Sequence, residues 1–181
     1  RQAGLTHLFV ETPATDLGLA ETIGIDTLLP VAHEAGINVI AWISPSLWDV
    51  AHDIDMTVRV AHYETPSGHQ FDGVAVDIEE NMAGHSVKAY SELIRVFLGE
   101  DQLLVGVGFP PLSSYGGDYP YLVMTRTFNV IALMGYWHDQ DRSYSYREVY
   151  DYVATNLGII RELVGYRNVQ IAFIGQAYDE F

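Results

Sequence analysis

Short runs of Val, Ile, Leu and Phe alternate along the chain with longer stretches in which apolar residues recur every three or four positions. The short runs are Leu5 to Glu11, Ile37 to Ile43, Gly73 to Ile78, Leu103 to Phe109, Val130 to Tyr136 and Val169 to Ile174, and they predict six strands. Between them, residues 16–35, 50–63, 84–98, 118–127 and 144–164 carry helical spacing. The clearest helix sets Val87, Tyr90, Leu93, Ile94 and Phe97 on one stripe and stops at Gly99. Apolar strands joined by crossovers long enough to hold a helix predict a parallel sheet. No linker, low-complexity tract or short repeat interrupts the chain, so a single domain over residues 1–181 is expected.

Two architectures carry such a sheet. An open, doubly wound sheet announces itself with a glycine-rich phosphate loop, and neither GxGxxG nor GxxxxGK[ST] occurs. The α/β class expected is therefore a (β/α)8 TIM barrel. Polar residues gather just past the strand ends, at Glu11, Ser44, Asp77 with Glu79, His138 with Asp139, and Gln176, where barrel active sites are assembled. Six strands fall two short of closure, and a whole barrel takes about 250 residues. The chain enters a strand soon after Arg1 and ends at Phe181 just past another. The expectation is thus a partial barrel covering strands two to seven and lacking a unit at each end.

The segment Phe71 to Glu80, FDGVAVDIEE, carries the most chemistry. Alternate residues of a strand share a face, so Asp77 and Glu79 project together while Val74, Val76 and Ile78 project oppositely. Gly73 and Ala75 leave open space on the acidic face. Capping of the following helix would account for one carboxylate but not for a same-face pair. Two acids in a dry barrel mouth resist double ionisation, so one keeps its proton near neutral pH and can act as an acid.

Composition narrows the partners. The net charge is −15, and of nine basic residues only Lys88 is a lysine, so nucleic acid is repelled. That balance suits an extracellular or cell-surface setting. Cysteine is absent, which excludes disulfides and thiolate metal sites. No apolar run reaches the ~18 residues of a spanning helix, and no signal core opens the chain.

The run Asp72 to Glu79, DGVAVDIE, resembles the fourth-strand signature D-G-x-D-x-D-x-E of the chitinase-like family 18 glycoside hydrolases, with Ala75 in place of its second Asp. Val130 to Trp137, VIALMGYW, resembles that family's M-x-Y-D strand, with Met134 and Tyr136 in place and Trp137 replacing the Asp. The likeness spans nearly the whole chain, and is nearer still to uncharacterised bacterial barrels with an F-D-x-x-x-D-I-E strand and a Met-x-Tyr-Trp strand. The resemblance implies hydrolysis of a polysaccharide, with Glu79 as general acid, Asp77 orienting an acetamido group and Tyr136 supporting its oxygen. The substrate's own carbonyl oxygen then serves as nucleophile. No cofactor is implied, and the partner is a carbohydrate.

Other residues carry two readings each. Trp42 and Trp137, with Trp48 beside them, either stack on sugar rings or pack in the core. Met134, Glu11 and Gln176 complete the substrate-binding set. The run Trp137 to Asp141 reads as a polar loop, because no HxxxH or HxH pair supports a metal site; a metal-assisted hydrolase using Asp77, Glu79 and His138 is the competing chemistry. His52, Asp53 and Asp55 read as a helix start. Tyr115, Tyr119 and Tyr121 either line a groove or cover a loop. With Ala75 and Trp137 departing from the pattern, a binding or structural barrel module without catalysis stands as the alternative, in contact with further parts of the same protein or a larger assembly.

Overall fold

A computed structural model describes residues 4–12, 24–136, 144–165 and 169–175. Six strands form one sheet: β1 (His7–Glu11), β2 (Asn38–Ile43), β3 (Gly73–Asp77), β4 (Leu103–Gly108), β5 (Val130–Gly135) and β6 (Gln170–Gly175). Every neighbouring pair is parallel, and the order in the sheet is the order in the chain. An open doubly wound sheet reverses direction at a switch point. Here there is no reversal, and the sheet curls into a half-barrel.

The helices are α1 (Ile25–Glu34), α2 (Val50–Ala61), α3 (Gly84–Leu98), the single turn α4 (Tyr121–Met124) and α5 (Tyr146–Val164). All pack on the outer face of the sheet. The outer core joins Val39, Ala41, Val74, Val76, Ile78, Leu104, Ile131 and Leu133 of the strand segments to Ile25, Leu29, Val87, Tyr90, Ile94 and Ile160 of the helices. A second cluster holds strand residues alone: Ile40, Ala75, Val105, Val107, Ala132 and Met134. This is the concave face, and the period-two split of β3 holds, with Ala75 inside and Val74, Val76 and Ile78 outside.

Strand positions fall within two residues of those the sequence predicts. The helix expected at 118–127 is corrected. A 3-10 turn, Gly116–Asp118, precedes α4, which is confined to four residues. Pro120 sits at its N-cap and supplies no N–H, and the preceding residues are spent on a loop that folds back over the strand ends. The stripe on α3 is also narrower than expected, since Val87, Tyr90 and Ile94 are buried while Leu93 and Phe97 are exposed. Gly99 ends α3 at φ 80°, a left-handed conformation that suits glycine. Of the helix expected over 16–35, residues 16–23 lie outside the described residues. Among the described residues, no helix is long and apolar enough to cross a membrane.

Candidate active site

Asp77 is the last residue of β3, and its strand partners place it opposite Val107 of β4. The pairing runs one residue further, where the Ile78 N–H donates to the Val107 carbonyl (3.1 Å). Asp77 is buried. Its Oδ2 accepts the indole N–H of Trp42 at 3.1 Å, whereas Oδ1 is buried with no hydrogen-bond partner. An unpartnered buried carboxylate oxygen is costly, on the order of 1–3 kcal/mol or more. Burial, followed by the charges of Glu79 and Glu11, pushes the Asp77 pKa up from 3.8 to about 7 against the opposing Trp42 bond. Asp77 therefore keeps its proton at pH values up to about 7.

Glu79 lies two residues on, at the rim. It is open to solvent as a residue, yet partial burial of its carboxyl raises its pKa. The larger shift falls on Asp77, the reverse of what the general-acid role of Glu79 leads one to expect. The difference follows from position, since Asp77 is inside the sheet's curl and Glu79 beyond its edge. Neither acid caps α3, whose N-cap is Ala83 with no side-chain cap.

Glu79, Met134 and Tyr136 line one pocket of about 290 Å³, completed by Phe109, Ser113, Tyr115 and Tyr152. Its wall is aromatic, with the Phe109 and Tyr115 rings 4.7 Å apart. Beside it sits the Trp42 group. Trp42 is half-buried, meets Phe9 edge to face at 6.1 Å, and is the strand partner of both Glu11 and Ala75. Its carbonyl accepts the backbone N–H (2.8 Å) and the hydroxyl (2.9 Å) of Thr12, so β1 ends locked to β2. Glu11 is exposed and acts on Asp77 through its charge. Ser44 is exposed past the end of β2. Trp137, His138, Asp139, Gln140, Asp141 and Gln176 lie outside the described residues.

Three features escape the sequence pattern. Tyr119 is buried across the ends of β3 and β4, its hydroxyl donating to the carbonyls of Ile78 (2.7 Å) and Val107 (3.2 Å). The Ile78 carbonyl belongs to the peptide that leads into Glu79, so Tyr119 fixes the plane from which Glu79 departs. Only glycine fits at 108, because a Cβ there would lie 2.0 Å from the Tyr119 hydroxyl. Burial, then the nearby acids and Tyr121, push the Tyr119 pKa well above its ordinary value, so the hydroxyl stays a donor.

The second feature is the loop after β2. Leu47 is buried at φ 58°, a left-handed conformation costing roughly 1–2 kcal/mol for a residue with a side chain. Asp53 lies in the first turn of α2, as expected, and is in addition buried and accepts the Leu47 N–H at 2.7 Å. The cap of α2 is Asp49, whose side chain accepts the His52 N–H at 3.1 Å. Two acids four residues apart at a helix start, where one suffices as a cap, were the available signal. The third feature is Asn81, which ties this loop to the one after β3. Its side-chain amide donates to the Leu47 carbonyl (2.8 Å), and its N–H donates to the Ser46 carbonyl (3.2 Å).

Among the described residues no group of three His, Cys, Asp or Glu side chains is placed to hold a metal ion. No protein-family model, no curated protein and no solved structure matches the chain. What the arrangement can do chemically rests on its geometry: a buried acid that holds its proton more tightly than usual and, two residues on, a second acid that lines an aromatic pocket.

Proposed function

We propose that the chain forms six of the eight units of a TIM barrel of the glycoside hydrolase kind, resembling family 18, and that it cleaves a glycosidic bond in an N-acetylated polysaccharide. The observation that carries this reading is the pocket that Glu79 shares with Tyr136, next to a buried acid with one unpartnered oxygen. Glu79 protonates the leaving oxygen, and the acetamido carbonyl oxygen of the same sugar attacks the anomeric carbon. Asp77 accepts the acetamido N–H. That bond favours the ionised form of Asp77, so substrate binding moves the Asp77 proton toward Glu79. The Tyr136 hydroxyl supports the acetamido oxygen as charge develops.

Ala75 stands where the resembled family has a second Asp, and the side chain beside it is the Trp42 indole. An indole N–H holds Asp77 in place but accepts no proton. This favours a second reading, a barrel that binds carbohydrate without turning it over. Replacing Glu79 by Gln in the full-length protein and assaying an N-acetylated oligosaccharide separates the two. An enzyme loses turnover on the order of 10²-fold or more with affinity largely kept. A parent that binds the sugar without cleaving it leaves the binding module, and one that neither binds nor cleaves overturns both.

A further inference from the structure

The loop after β2 holds Leu47 in a left-handed conformation and leaves the next residue in water. Trp48 is 73% exposed, in contrast to the half-buried Trp42. An indole contributes more to stability when covered, so its exposure asks for a reason. Both of its neighbours are fixed. Leu47 is buried in the outer core, with its N–H on the Asp53 carboxylate and its carbonyl on Asn81. Asp49 caps α2, and the Trp48 N–H itself donates to the Ser46 hydroxyl at 3.3 Å. Left-handed backbone at a non-glycine residue persists only where surrounding bonds enforce it, and such residues gather at ligand sites.

The location gives the strain a use. Asn81, which clasps Ser46 and Leu47, is two residues beyond Glu79. The loop therefore stands at the same end of the sheet as the pocket, across β3 from the aromatic wall of Phe109 and Tyr115.

We propose that Trp48 is a ring-stacking platform, a second binding position for a sugar ring beside the one at Glu79. This rests on the carbohydrate reading above and adds a contact to it. The apolar face of a pyranose covers the exposed indole, while the hydroxyls at its rim stay in water. Because the backbone on both sides is locked before the ligand arrives, little freedom is lost on binding. A single sugar occupying the pocket leaves Trp48 uncovered, so its contribution belongs to oligosaccharides only.

The test uses full-length protein carrying Glu79→Gln, to stop turnover, with calorimetric titration of N-acetylglucosamine and of its β-1,4-linked tetramer. Adding Trp48→Ala is expected to weaken tetramer binding about fivefold or more, from the usual strength of ring contacts, and to leave the single sugar unchanged. Trp48→Phe keeps a ring and is expected to stay within about twofold of the parent. Thermal midpoints of both variants should match the parent, because the side chain is solvent-exposed. Tetramer affinity unaltered by Trp48→Ala overturns the platform, as does an equal loss for both sugars, which signals a distorted pocket. Absence of any sugar binding overturns the platform together with the carbohydrate reading. Trp48-dependent tetramer binding in a protein whose parent form cleaves nothing upholds the platform and removes only the enzymatic role.

Discussion

At the scale of single residues, Asp77 combines opposite demands. It is buried where a charge is costly, held on one oxygen by Trp42 and unpartnered on the other. Its folded pKa of about 7 lies above the ordinary 3.8, so an unfolded chain gives up this proton at lower pH than the folded one. Stability is fully present below about pH 4 and declines as pH rises toward 7, by up to about 4 kcal/mol if no other group compensates. Asp77→Asn removes the ionisation and should flatten that decline. Urea unfolding of parent and variant at pH 5 and pH 8 checks it, with the variant gaining more at pH 8; an equal change at both values refutes the buried-acid account. Any turnover should fall as pH rises through about 7, when free Asp77 gives up the proton that the proposed mechanism passes to Glu79. The split of β3 into Val74, Val76 and Ile78 on the outer face and Ala75 on the inner was legible from strand period alone. The bond to Trp42 was not, because it depends on the register of β2 against β3, which no local pattern states.

At the scale of elements, the strands were legible and the loops were not, for a physical reason. β2 to β5 are covered on both faces, so their residues must be apolar almost throughout, and that leaves a mark in sequence. The loops after β2, β3 and β4 owe their shapes to tertiary bonds: Asp53 to Leu47, Asn81 to Ser46 and Leu47, Tyr119 to Ile78. Such bonds join residues whose local sequence reads as an ordinary helix start or turn. The weight of the first can be measured. Asp53→Ala strands the buried Leu47 N–H, with an expected loss of about 1–3 kcal/mol. The larger effect should be on the loop, so amide exchange at residues 46–48 should speed up more than at the β3 amides of Val74 to Val76. Uniform acceleration across the sheet would mean that Asp53 supports the whole fold and not the loop.

For the whole molecule, the decisive fact is the asymmetry between the middle of the sheet and its ends. β3 is buried along its length, whereas β1 is exposed at four of its five positions and β6 alternates between exposed and half-buried. The concave face is apolar, and a cavity of about 540 Å³ opens between the two ends, lined by Phe9, Ile40, Trp42, Val105, Ala132 and Ile174. Among the described residues the outer edges of β1 and β6 have no strand partner, and such edges beside an apolar hollow invite pairing with other chains. On the eight-unit reading proposed above, two βα units inserted between β6 and β1 would pair both edges and fill the hollow with their inward side chains. The prediction compares the 181-residue chain with a longer product that supplies two further units. Alone, the chain should bind a hydrophobic dye, associate at high concentration and exchange the outward amides of β1 and β6 quickly. In the longer product, dye binding should vanish and those amides should become as protected as the amides of β3. If the edge amides exchange equally fast in both, the half-barrel is not completed by its own chain, and the eight-unit proposal falls even if the Glu79 pocket proves active.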